Sequence, residues 1–126
     1  MKITLIISLI FLLLISFVNS ITIQVEPKTT DCFYEDFLSY RDVTFRWEVV
    51  RGGKLDINVK IEYHGTNGAE SNVLFEKLFI QGGSDHEYKF KTHEGGRYSV
   101  CFNNEMSRFT AKVVRFESSG STKSFN

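Results

Sequence analysis

Between Leu55 and Tyr63 the side chains alternate without a break, Leu55, Ile57, Val59, Ile61 and Tyr63 against Asp56, Asn58, Lys60 and Glu62. Successive side chains of an extended strand point to opposite faces, so this period makes one dry face and one wet face. It excludes a helix, whose apolar stripe recurs about every 3.6 residues. Val43–Val50 repeats the pattern, with Val43, Phe45, Trp47 and Val49 on one side and Thr44, Arg46 and Glu48 on the other. Arg51-Gly52-Gly53-Lys54, between the runs, has the glycine chemistry of a strand turn. Val43–Tyr63 is therefore expected to be an antiparallel hairpin with one wet face.

The rest of the chain reads the same way. Ile21–Glu26 alternates and is broken by Pro27-Lys28-Thr29-Thr30. Asp31–Leu38 is expected as a short strand that runs into a turn at Ser39–Asp42. His64–Asn72 consists of turn residues, Val73–Ile80 reads as a strand, Gln81–Asp85 as a turn and His86–Thr92 as another strand. Gly95-Gly96 then opens a closing hairpin: Arg97–Phe102 with Tyr98, Val100 and Phe102 on one face, a polar break at Asn103–Ser107, and Arg108–Phe116. About eight short strands with no helical period between them predict an all-β fold, an antiparallel β-sandwich of jelly-roll type. Twelve Phe, five Tyr and one Trp supply its core. Ser118–Asn126 has the composition of a disordered tail.

The N-terminus sets the compartment. Met1-Lys2 precedes an almost wholly apolar run, Ile3–Val18, and Val18-Asn19-Ser20 offers a cleavage site after Ser20. This is the pattern of a secretory signal peptide over residues 1–20, with an uncleaved anchor as the rival reading. Its removal takes away Lys2 and leaves 14 basic against 15 acidic residues. So near-neutral a balance gives no reason to expect a nucleic-acid partner. The two cysteines, Cys32 and Cys101, lie 69 positions apart. In an oxidising compartment they most simply form one disulfide, two buried free thiols being the alternative.

Catalytic chemistry is not encoded in any motif. His64, His86 and His93 fall in loops or at strand ends, without metal-ligand spacing. Asp85-His86-Glu87 reads as a solvated turn, and the carboxylates Glu35, Asp36, Asp56 and Glu62 read as solvated faces, with Asp56 suited to bonding the glycine turn before it. No catalytic residue, cofactor or metal site is expected. Tyr34, Phe37, Tyr40 and Met106 lie in or near turns and are the candidates for a partner-binding patch.

Three runs carry a resemblance: Cys32-Phe33-Tyr34, Gly53-Lys54-Leu55-Asp56-Ile57, and Gly96-Arg97-Tyr98-Ser99-Val100-Cys101-Phe102-Asn103-Asn104. Met106-Ser107, Thr110, Lys112-Val113-Val114 and Phe116 follow the last. In this order, over residues 21–117 and behind a signal peptide, the chain resembles the lumenal GOLD domain of the TMED family, type I membrane proteins that cycle between endoplasmic reticulum and Golgi. The resemblance implies a Cys32–Cys101 disulfide and a GOLD-type sandwich of two four-stranded sheets. It implies packaging of secretory cargo into coated vesicles, with GOLD domains that bind cargo and form homo- or hetero-oligomers with other TMED-type proteins. Relatives continue into a coiled coil, a transmembrane helix and a coat-binding tail, whereas this sequence ends nine residues after Glu117. A fragment of a membrane-anchored protein and a free-standing GOLD domain both stay open, and coat binding does not carry over. The alternative function is a secreted, soluble, lectin-like jelly-roll module without a trafficking role.

Overall fold

The alternating runs build two sheets. A computed structural model describes residues 2–15, 19–80 and 86–119. A helix, α1 (Lys2–Ile15), is followed by β1 (Asn19–Val25), β2 (Thr30–Phe37), β3 (Asp42–Arg51), β4 (Ile57–Tyr63), β5 (Asn72–Phe79), β6 (Glu87–Lys91), β7 (Gly96–Asn103) and β8 (Lys112–Ser119). One four-stranded sheet runs β1-β8-β3-β6 and the other β2-β7-β4-β5. All pairs are antiparallel. Each strand turns its apolar face inward. Val25, Val43, Phe45, Trp47, Val114 and Phe116 meet Ile57, Val59, Ile61, Phe79, Val100 and Phe102 across the sandwich. The rings interlock at edge-to-face or tilted angles: Phe102–Phe116 at 5.5 Å, Phe45–Phe116 at 5.6 Å and Trp47–Phe79 at 5.1 Å. Such pairs add about 0.5–1.5 kcal/mol each beyond burial.

Two expected hairpins are not hairpins. β3 and β4 lie in opposite sheets, and so do β7 and β8. Pairing side by side would leave the dry faces of both strands in need of a cover, whereas crossing between the sheets lets each cover the other. The β3–β4 connection crosses through positive φ at Gly52, Gly53 and Leu55, so Leu55 belongs to the turn and not to the strand. The second connection occupies Asn104–Ala111, and β8 begins only at Lys112. β8 then runs through Ser118, which pairs with Asn19 and Phe45, so the expected tail does not start at Ser118. Residues 120–126 and the expected turn at Gln81–Asp85 lie outside the described residues. The expected cleavage point after Ser20 falls inside β1.

Gly52 has φ of +120°, and a Cβ there would run into the Ala111 carbonyl oxygen of the second crossing. Gly52→Ala is expected to lower stability by about 2–3 kcal/mol, since both backbone strain and a backbone clash oppose it. Urea unfolding checks this, and an unchanged midpoint would contradict the packing of the two crossings.

A buried polar knot joins the same crossings. Lys112 Nζ, on a side chain only 1% exposed, donates to the Asp56 carbonyl (2.8 Å), Asp56 Oδ1 (2.8 Å) and Asn104 Oδ1 (3.0 Å). Asn104 Nδ2 donates to the carbonyls of Val25, Glu26 and Thr110. Three of the crossings at this end, β1–β2, β3–β4 and β7–β8, thus share one set of bonds. At the other end Tyr98 Oη donates to the Glu94 carbonyl at 2.6 Å and Tyr63 Oη to the Gly95 carbonyl at 2.9 Å. Burial pushes the Tyr98 phenol up to about 12.

Candidate functional site

Alternation places Cys32 and Cys101 on the outer face of their sheet. They are direct partners across β2 and β7 and are joined as a disulfide. Around them β2 and β7 carry short side chains, while taller ones rise on either flank: Tyr34 from β2, Lys60 and Glu62 from β4, Glu76 from β5. The result is a trough of about 310 Å³ with the disulfide and Ser99 as its floor.

The wall nearest the β4–β5 loop is tightly bonded. His64 Nδ1 lies 2.9 Å from the Glu70 carbonyl and Nε2 lies 2.7 Å from Ser99 Oγ. A carbonyl can only accept, so Nδ1 donates to it and a neutral ring takes the Ser99 hydroxyl proton bond at Nε2. The Tyr34 ring sits 5.7 Å from that imidazole. Ser71 Oγ donates to Glu62 Oε2 at 2.6 Å, and Lys60 Nζ lies 3.2 Å from Glu62 Oε1. Ser99 and His64 have the spacing of a nucleophile and base, but Ser99 is 1% exposed and the imidazole is oriented by a backbone carbonyl. The pair holds the 64–71 loop against the sheet. Among the described residues no group of three or more His, Cys, Asp or Glu side chains could hold a metal ion.

The Ser71 bond, and then Lys60, hold the Glu62 carboxyl below its ordinary 4.5, and the Lys112 bond holds Asp56 below its ordinary 3.8. A carboxyl with a depressed folded pKa stabilises the fold above its unfolded pKa, and that contribution is lost as pH falls through the folded value. Stability should therefore fall as the pH drops below about 4.5. Glu62→Gln together with Asp56→Asn should flatten that fall in urea midpoints measured across the acid range. An equally steep fall in the double variant would contradict the assignment.

The four partner-binding candidates do not form one patch. Phe37 is 5% exposed and packs on Phe45 and Tyr98, because it shares the inward parity of Phe33 and Glu35 on β2. Phe37 is therefore a core residue and offers no surface to a partner. Tyr34 is 59% exposed and lines the trough. Tyr40, in the β2–β3 turn with φ of +58°, and Met106, in the β7–β8 crossing, are exposed at opposite ends of the sandwich. Phe109, in the same crossing as Met106, is 91% exposed, although the sequence pattern puts it in an expected strand. A second hollow of about 410 Å³ lies between the turns at the Tyr40 end, where Arg97 pairs with Asp36 at 3.1 Å.

A family profile described as emp24/gp25L/p24 family/GOLD matches residues 20–124. Transmembrane emp24 domain-containing protein B of Dictyostelium discoideum is 44% identical over 108 residues, covering 86% of this chain and 49% of the relative. Transmembrane emp24 domain-containing protein 7 of Homo sapiens is 30% identical over 99 residues, covering 79% of this chain and 41% of the relative. The chain thus spans about half the length, or less, of these curated relatives. Among solved structures, a periplasmic inhibitor of g-type lysozyme from Aeromonas hydrophila superposes with a TM-score of 0.60 at 9% identity, over 83% of this chain and 87% of the other. The Yersinia pseudotuberculosis-derived mitogen superposes with a TM-score of 0.60 at 9% identity, over 86% and 90%. These two likenesses concern the sandwich fold alone.

Proposed function

The chain belongs to the emp24/gp25L/p24 family of GOLD-domain proteins, and from that premise we propose that it is a protein-interaction module of the secretory-pathway lumen. It serves vesicular transport between endoplasmic reticulum and Golgi by binding secretory cargo and by pairing with other GOLD-domain members of the family. The observation that carries the reading is the family match over residues 20–124, which takes in both cysteines and, but for Asn19, the eight strands described. The leader, residues 1–20, directs the chain into the lumen and is removed there. Tyr34, Tyr40 and Met106 are the exposed positions at which partners bind. The matching relatives are named as transmembrane proteins. Among the described residues of this chain, no helix is long and apolar enough to cross a membrane.

The test is sedimentation velocity of the full chain, expressed through a secretory pathway, alone and mixed with the lumenal domain of an emp24-type relative. A faster-sedimenting species in either sample is expected. A single monomer in both, combined with affinity for free oligosaccharides, would favour a secreted lectin-like module instead.

A further inference from the structure

The disulfide does not belong to the core. It bridges two directly opposed residues on the outer face, on strands already paired along eight positions, and it floors an open trough. β2 is an edge strand, so the half-buried Cys32 is the sulfur that can be approached from outside, while Cys101 is buried behind it. On the far side of Cys101, its register partner on β4 is Lys60, whose side chain lines the same trough. A sulfur leaving as thiolate is favoured by a nearby cation, and thiol–disulfide exchange is faster for the better leaving group. The other charged and titratable groups lining the trough are Glu62, which pairs with Lys60, and His64, Glu76, Glu105 and Tyr34.

We propose that this trough is a thiol–disulfide exchange site, at which a dithiol of the secretory lumen reduces the Cys32–Cys101 bond while the sandwich stays folded. The dithiol's thiolate attacks Cys32 Sγ, the Sγ–Sγ bond breaks, and its electron pair departs on Cys101 Sγ, the sulfur whose cross-strand partner is Lys60. The second thiol of the reductant then displaces Cys32 from the mixed disulfide. The protein gains two electrons and two thiol protons, and the dithiol is left oxidised. With the bridge open, β2 loses its one covalent tie and keeps its ladder to β7 and the core packing of Phe33 and Phe37, so reduction loosens one wall of the trough while the strand stays in place.

The test uses the full oxidised chain and dithiothreitol as the reductant, with alkylation and intact mass recording reduction over time. The expected rate is first order in dithiol and unaffected by urea well below the unfolding transition. Lys60→Met should slow it by about two- to threefold, whereas Lys60→Arg should not. Circular dichroism recorded in parallel should show the reduced chain still folded. A rate that saturates at the unfolding rate, a rate that rises steeply with sub-denaturing urea, or a Lys60→Met rate equal to the parent's would each overturn the proposal.

Discussion

Lys112→Met is expected to destabilise the domain by about 3 kcal/mol, the effect of removing one partner from a buried ion pair and leaving the others unpaired. Methionine keeps the length of the side chain, so little of the loss comes from packing. What disappears is the ammonium that donates to the Asp56 carbonyl, Asp56 Oδ1 and Asn104 Oδ1. Asn104 Oδ1 then has no donor in a buried position, and the amide that bonds Val25, Glu26 and Thr110 loses its anchor. The Asp56 side chain keeps 22% exposure, so water recovers part of its loss, which places the estimate at the lower end of the range for buried pairs. Asp56→Asn alone should cost less, and the two changes together should cost less than their sum, because both break one interaction. Urea unfolding of the four forms measures this. Additive effects would show that the knot is not one unit.

Cys32→Ser is the second large effect. Closing a loop across 69 positions restricts the unfolded chain by about 4 kcal/mol in the entropic account, and measured losses commonly fall between about 2 and 5 kcal/mol. The change also leaves a free thiol at Cys101 on the trough floor. β2 should fray first, because it is an edge strand whose only ladder is to β7. Hydrogen exchange should therefore report weaker protection in Thr30–Phe37 than in β3 or β4. If Cys32→Ser unfolds at the same urea concentration as the parent under oxidising conditions, the bridge is not a stabilising element.

The strands were legible because their signal is local. A period of two needs only neighbours, and it marks β1, β3, β4 and β7 to within a few residues, while apolar runs between turns mark β2, β5 and β6. Partner choice between strands was not legible in the same way. Gly52-Gly53 and Asn103-Asn104 announce turns, but a hairpin and a crossing between sheets share that chemistry, and the difference lies in contacts with Ala111 and Lys112 far along the chain. Lys112 shows the limit most clearly. The sequence places it inside an expected strand, Arg108–Phe116, with no sign of a partner, and only the fold reveals that Asp56 and Asn104 converge on it. From its place after Gly52-Gly53, Asp56 is expected to bond its own turn; it bonds Lys112 instead. Phe37 stands beside a turn, which suggests exposure, but its parity with Phe33 puts it in the core. The trough has no local signature at all, since its residues come from four strands and two of their connections.

The most direct test of the account is capture of the chain from detergent-solubilised membranes of cells that make it, with mass spectrometry of whatever is held. The account predicts emp24-type relatives among the captured proteins and recovery of the chain in endoplasmic reticulum and Golgi fractions. Recovery of the chain outside the cell, with no such relative bound, would contradict it.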